Sequence, residues 1–320
     1  MDELLLKLKQ YGKVKIGEPL SKHTSFKIGG GARFFVSPET LQAHVELMQY
    51  LDGMGVSYMI LGGGSNMLAP DTGFDGVVIH PEYQEIKREG SKIIADAGAL
   101  TVSVARFSMK EQLTGFEWGV GVPGTIGGAV RGNAGAMGFE MKDSVTNVMA
   151  YIDGEVVELN IEQCDFGYRS SVFKSKGGVV LQVTLGLEQT ENKELIKQAI
   201  EYLNYRNSTQ PQGHASTGCI FQNPDVGKYR PQLIEHFDKY SEHVQKFLSL
   251  GKISAGWLIE QAGLKGEQVG QALVSQQHGN FIVNVGGATA ADVQTLIDRI
   301  KETVYTKFGI TLEEEIYTFK

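Results

Sequence analysis

Cysteine is scarce in this chain: Cys164 and Cys219 are the only two among 320 residues. They stand far apart, and neither a CxxC pair nor closely spaced histidines accompany them, so no disulfide framework and no zinc site is indicated. No apolar stretch approaches the ~20 residues that a membrane-spanning helix requires. The start, MDELLLKLKQYGKVKIG, carries an acid at position 2 and only three consecutive leucines, which fits neither a signal peptide nor a transit peptide. A soluble cytoplasmic protein is expected. Basic runs are missing as well. With 30 basic against 37 acidic side chains, a net charge of −7 and a pI near 5.6, the composition argues against nucleic acid or an anionic membrane as main partner. No obligate protein partner is evident, and any anionic ligand must be met by local charges.

Glycine is what the chain has in excess, 40 residues of it. The densest stretch is GFEWGVGVPGTIGGAVRGNAGAMG, residues 115–138, where charge is almost absent. Glycine weakens a helix or strand by about 0.5–1 kcal/mol per position, so such density implies left-handed turns or backbone packed against a ligand. Gly29-Gly30-Gly31 and Gly62-Gly63-Gly64 are smaller clusters. The second follows the apolar run Tyr58-Met59-Ile60-Leu61 and leads into Ser65-Asn66, so a strand is expected to deliver a ring of backbone NH groups to one spot. Nests of this kind bind phosphate. GGGSN has neither the GxGxxG spacing and ribose-binding acid of a nicotinamide site nor the GK(S/T) of a P-loop, and by itself it is either a tight turn or a phosphate loop. Two glycine-rich loops in one domain suit a long dinucleotide that must be wrapped at both pyrophosphate and ring. FAD is such a ligand.

The length suits two or three domains, and short β-like runs alternate with amphipathic helices. Ser37-Pro38-Glu39 predicts a helix start, with Leu41, Val45, Met48 and Leu51 as its apolar stripe. Strands are predicted at 58–61, 76–79 and 92–97, a helix at 101–112, and a hairpin in which Asp153-Gly154 joins 145–152 to 155–159. A strand at 179–187 gives way to EQTENKE, residues 188–194, where composition turns polar and a long helix opens towards Tyr205. The domain boundary is placed there, giving residues 1–190 and 191–320. Beyond it come a charged helical insertion (229–250), helices at 254–262 and 290–308, and strand-like runs at 281–285 and 310–319. This order is α+β and fits a classical Rossmann fold poorly.

Three further segments carry reactive groups. FGYRSSVFK, residues 166–174, is either a solvated turn or a site where the planar fork of Arg169 recognises a carboxylate. In GCIFQNP, residues 218–224, Cys219 is either an inert core residue or a proton donor. Glu313-Glu314-Glu315 is either a solvated edge or a run with one acid facing inward.

These segments in this order resemble a known family. TSFKIGG (24–30), ILGGGSNML (60–68), GVPGTIGGAV (121–130) with NAGAMG (133–138), FGYRSSVFK, GCIFQNP, SAGWLIEQAGLKG (254–266), HGNFIVN (278–284) and LEEEI (312–316) are similar, collinearly, to UDP-N-acetylenolpyruvoylglucosamine reductases. The resemblance implies an α+β chain with a vanillyl-alcohol-oxidase/PCMH-type FAD-binding half of two subdomains and a smaller α+β substrate domain. It implies an enzyme of peptidoglycan precursor synthesis in which NADPH reduces noncovalent FAD. Hydride then passes from flavin N5 to UDP-N-acetylglucosamine enolpyruvate, and protonation of the enolate gives UDP-N-acetylmuramate.

By motif, the resemblance assigns FAD contacts to Gly62, Gly63, Gly64, Ser65, Asn66, Gly121, Pro123, Gly124, Gly127, Gly128, Asn133 and Gly135. Arg169 would hold the substrate carboxylate, Glu315 would assist at the enolate, and Tyr168, Asn223 and Lys265 would touch substrate, with Arg206 and His278 as further candidates. Cys219 stands where many members carry serine as proton donor. A thiol, with a pKa of about 8.5, gives up a proton far more readily than an alcohol. Gly31 stands where proline is commoner. Helix residues begin soon after 187, which matches the branch lacking a tyrosine-bearing loop, and no role is assigned to residues 225–252. The same fold could serve an FAD-linked oxidase, or a flavin binder without catalysis. Neither glycine loop offers a histidine or cysteine for covalent attachment.

Overall fold

The computed structural model describes residues 3–191 and 194–318. Contacts divide the chain into two compact units, the first running to Pro19 and over Gly31–Gly64 and Phe74–Ser208, the second over Leu20–Gly30, Ser65–Gly73 and the chain from Thr209.

The first unit has two cores. One lies on a four-stranded sheet ordered Lys13–Pro19, Gly31–Ser37, Phe74–Ile79, Tyr58–Ile60, with the first pair antiparallel and the others parallel. The helix Leu41–Met54 makes the crossover and buries Val45, Leu47, Met48 and Leu51, as the apolar stripe requires. Its cap is Thr40, whose side chain accepts from Ala43 N, not Ser37. Ser37 is used up as the last, buried residue of its strand, so the helix starts later than Ser-Pro-Glu suggests.

His44 on this helix is fully buried against Tyr83, its Nδ1 2.9 Å from the Tyr83 hydroxyl. Burial pushes its pKa down from 6.5 to about 4. The unfolded chain therefore takes up a proton near pH 6.5 that the native state refuses until about pH 4, and stability present above pH 6.5 is lost as pH falls through that window. At about 1.4 kcal/mol per pKa unit the loss is about 3 kcal/mol. Comparing urea midpoints at pH 7 and pH 4.5 for the protein and for His44→Leu checks this: the variant should show the smaller drop.

The second core of this unit sits on a five-stranded antiparallel sheet ordered Glu155–Asn160, Val145–Ile152, Val179–Gly186, Lys92–Asp96, Ile86–Glu89. Asp153 and Gly154 both have positive φ (51° and 89°), the conformation a two-residue hairpin turn demands. Helices Thr101–Lys110, Ile126–Arg131 and Leu195–Thr209 contribute to this core. Because Ala199, Tyr202 and Leu203 of the last helix pack here, the unit extends to Ser208, past the boundary at 190/191 that composition suggests. Glu188–Gln189 is a short strand paired with Leu113–Thr114, and the helix begins at Leu195; residues 192 and 193 of the polar run lie outside the described residues.

The second unit packs the antiparallel strands Gln268–Val269, Ala272–Val274 and Ile282–Asn284 with helices Ala255–Gln261 and Ala290–Phe308. Phe26, Ile28 and Leu68 join this core. The insertion is two helices, Val226–His236 and Glu242–Leu250, closed at its base by an Asp225–Lys252 ion pair of 3.1 Å. Phe237, Phe247 and His243 pack around Trp257 at centroid distances of 4.4, 5.1 and 6.0 Å. Of the strand predicted at 310–319, only Tyr317–Thr318 forms, parallel to Met67–Leu68; residues 313–315 pair with 220–222 through a single bridge, Glu314 to Phe221, flanked by the Glu315 N to Ile220 carbonyl and Gln222 N to Glu313 carbonyl bonds, and Phe319 lies outside the described residues.

Candidate active site

In the first unit the two glycine loops touch. The strand Tyr58–Ile60 delivers Gly62 and Gly63 against the loop before the helix Ile126–Arg131. A Cβ on Gly62 would come 2.5 Å from Thr125 Oγ1, and one on Gly63 would come 2.5 Å from Gly124 Cα. The first loop can bear no side chain at either contact. Gly63 and Gly128 are nonetheless exposed, so the joined loops present bare backbone to solvent there, beside the exposed ring of Pro123. A wall with so few side chains fits a dinucleotide lying along it.

Not every glycine of the field serves that wall. Gly127 is buried, and a Cβ there would meet that of Ala97 at 2.7 Å, so it lets the short helix pack on the sheet. Gly64 is buried with φ +59° and makes the turn into Ser65. Gly121 is buried beside Arg206, whose Cδ lies 3.8 Å from the Cβ that Gly121 lacks. Thr125 caps the short helix through Gly128 N, at 3.4 Å.

The NAGAMG loop meets the Arg169 turn. Asn133 is wholly buried: its Nδ2 donates to Glu140 Oε2 (2.9 Å) and the Gly167 carbonyl (2.8 Å), and its Oδ1 accepts from Lys142 N (3.1 Å). Asn133 braces two loops, with no exposed surface left for a ligand. Arg169 sits at the tip of a turn closed by reciprocal Gly167–Ser170 backbone bonds, with φ +53°. That left-handed conformation costs a non-glycine residue about 1–2 kcal/mol. Lys174 Nζ donates to the Arg169 carbonyl at 3.0 Å, and the guanidinium carbon lies 5.3 Å from the Tyr168 ring centre. Arg169 Nη1 lies 3.3 Å from where a Gly135 Cβ would be. Half-buried, strained and stacked, Arg169 is not a solvated turn residue.

The second unit gathers the other candidates. Cys219 is bridged to Phe281, and Ile220 N donates to the Asn280 carbonyl at 2.9 Å. Glu315 N donates to the Ile220 carbonyl at 2.8 Å, so the Cys219 and Glu315 segments are neighbours in one backbone ladder. Lys301 takes Glu314 in a 3.0 Å ion pair, which separates Glu314 from Glu315 within the acidic run. Cys219 is half-buried, whereas Cys164 is fully buried with its thiol pushed up to about 11 by burial. The inert core cysteine is therefore Cys164.

Asn223 Oδ1 accepts from Ala255 N at 3.0 Å and so fixes the start of the Ala255–Gln261 helix, which Ser254 caps. Lys265 pairs with Glu260 of that helix at 3.2 Å. His278 lies against Gly256, and its pKa is lowered first by burial and then by the charge of Lys265.

Sequence reasoning did not single out Asn280. Buried, it clamps Phe221 by accepting from its N (2.9 Å) and donating to its carbonyl (2.8 Å), which fixes the register of the Cys219 segment. Glu140 and Thr125 were passed over too. Only the capping pattern of Thr125 before an apolar run carried a local signal.

The family described as FAD binding domain matches residues 32–160, and the family described as UDP-N-acetylenolpyruvoylglucosamine reductase, C-terminal domain, matches residues 210–319. The UDP-N-acetylenolpyruvoylglucosamine reductase of Bacillus subtilis is 38% identical over 315 residues, 97% of this chain and 95% of its own length. That of Bacillus licheniformis is 39% identical over 324 residues, 99% of this chain and 98% of its own. The crystal structure of the Thermus caldophilus enzyme superposes with a TM-score of 0.76 at 31% identity, covering 96% of this chain and 98% of the other.

Proposed function

The chain belongs to the UDP-N-acetylenolpyruvoylglucosamine reductase family, and from that premise we propose which of its residues perform the reaction and that it falls in the branch without the tyrosine loop. It is an FAD-dependent oxidoreductase of peptidoglycan synthesis, with the PCMH-type FAD-binding fold. When bound, FAD supplies the hydride carrier between NADPH and the enolpyruvyl double bond of a UDP-sugar.

The unit that ends at Ser208 makes the flavin-binding domain, past the boundary at 190/191, and the unit that continues from Thr209, with residues 20–30 and 65–73, makes the substrate domain. The bare backbone of Gly62, Gly63, Gly124 and Gly128, with the ring of Pro123, lines the flavin, and Ser65 stands at the end of the first loop. Gly121, Gly127 and Asn133 support that wall by packing, and Gly135 leaves the space that Arg169 occupies. Arg169 pairs with the substrate carboxylate and holds the negative charge that grows there during hydride arrival, a contact worth most in the transition state. Cys219 gives its proton to the enolate carbon, and Glu315 assists in protonating the enolate. Tyr168, Asn223 and Lys265 contact the substrate. No helix among the described residues is long and apolar enough to cross a membrane, and a cytoplasmic location suits substrates that are soluble nucleotides.

The observation that carries this reading is the strained, half-buried Arg169 braced over Gly135 by Asn133 and Lys174. An anaerobic two-step assay tests it. NADPH should bleach the yellow protein, and UDP-N-acetylglucosamine enolpyruvate alone should restore the colour. Recovery only on admitting oxygen, with peroxide formed, would overturn the reading in favour of an oxidase.

A further inference from the structure

Resting on the reading of Glu315 as catalytic, we propose that the side chain of Asn66 is a positioning residue for Glu315 and not a flavin ligand. Asn66 follows directly on the glycine loop, yet its polar atoms turn to the C-terminal strand. Its Nδ2 donates to the Glu315 carbonyl at 3.2 Å, and its own carbonyl accepts from Tyr317 N at 3.0 Å. One residue thus grips the chain on both sides of Ile316, fixing the peptide unit that follows the Glu315 side chain and the one after it.

The grip is only as stiff as its base, and the base is anchored throughout. Met67 and Leu68 pair in parallel with Tyr317 and Thr318. The Pro70 carbonyl accepts from Gly30 N at 2.9 Å. Asp71 caps the 19-residue helix Ala290–Phe308 by accepting from Ala290 N (2.8 Å) and Ala291 N (3.1 Å). On its other side the Glu315 segment is held by Glu315 N donating to the Ile220 carbonyl and by the Phe221–Glu314 bridge. Glu315 is therefore suspended between two ladders, one leading to Cys219 and the other to Asn66. Removing the Asn66 amide takes away the bond to the Glu315 carbonyl and leaves that side held only beyond Ile316, through Tyr317 N and the strand pairing, and a small displacement of a catalytic group can cost about 100-fold in rate.

Asn66 is exposed, so substitution leaves no buried group unpaired. Asn66→Ala and the isosteric Asn66→Asp, which keeps the shape but has no donor for the Glu315 carbonyl, should behave alike. In the holoenzyme, amide hydrogen exchange over residues 313–318 should quicken in both. Flavin affinity and the rate of reduction by NADPH should be unchanged, while reoxidation by UDP-N-acetylglucosamine enolpyruvate slows about 10- to 100-fold. In a Glu315→Gln background the Asn66 substitution should slow reoxidation no further. Weakened flavin binding would overturn the proposal by making Asn66 a cofactor ligand, and unaltered exchange over 313–318 would overturn the clamp. Should Glu315→Gln alone reoxidise at the wild-type rate, the reading of Glu315 falls and the catalytic claim with it, although quickened exchange would still show the clamp.

Discussion

Arg169→Lys is expected to lose about 10²- to 10³-fold in turnover while its melting temperature and flavin content stay near those of the parent. The size of the effect follows from what lysine cannot copy. A guanidinium offers two parallel N–H donors to a carboxylate, whereas an ammonium is a point charge. The structure adds two costs. Arg169 is held above the Gly135 backbone with Nη1 3.3 Å from the position of the absent Cβ, and it stacks against Tyr168, so its fork is oriented before substrate arrives. A lysine inherits the left-handed backbone but neither the stacking plane nor the second donor. Steady-state kinetics with both substrates varied, alongside the flavin spectrum and a thermal melt, separates the outcomes. Near-normal turnover would return Arg169 to the status of a surface residue.

What could be read from the sequence was what local chemistry writes. The stripe on Leu41–Met54, the Asp153-Gly154 turn and the helix Ala290–Phe308 all formed, since periodicity and turn residues determine them within a few positions. The strands Lys13–Pro19 and Gly31–Ser37 had no such signature. The first is an edge strand with no buried face to impose alternation, and the second is held by partners on both sides. The helix Ile126–Arg131 was hidden because Gly127-Gly128 lowers its propensity, and packing against Ala97 restores it. Residues 20–30 and 65–73 belong to the second unit through long-range bonds such as Asp71 to Ala290, which no window of sequence contains.

The site divides in the same way. Arg169, Cys219 and Glu315 stand out by residue type within recognisable motifs. Asn280 acts by imitating a peptide group 59 residues from Phe221, and Asn133 by tying two loops together, so their roles exist only in the fold. The glycine-rich loops, which the sequence leaves open between turns and ligand-facing backbone, divide in the fold into exposed backbone at Gly63 and Gly128 and packing relief at Gly127.

Cys219→Ala should leave stopped-flow reduction by NADPH near the parent rate and slow reoxidation by UDP-N-acetylglucosamine enolpyruvate about 10²- to 10⁴-fold, the range of a lost general acid. The two steps differ because only the second ends in protonation of the substrate carbon. Cys219→Ser should recover part of the loss, since a hydroxyl can donate from the same place with a less acidic proton. The fold gives the thiol what a donor needs. It is half-buried, next to Gly218 at φ +82°, and its segment is pinned by Asn280 on one side and by the Glu315 strand on the other. The other thiol cannot confuse the measurement, because Cys164 is buried and pushed up to about 11. Alkylation under native conditions should therefore modify one cysteine per chain, in step with the loss of reoxidation, while reduction by NADPH persists. Were Cys219→Ala to reoxidise at the parent rate, Cys219 would be a packing residue, and Glu315 or water would deliver the proton.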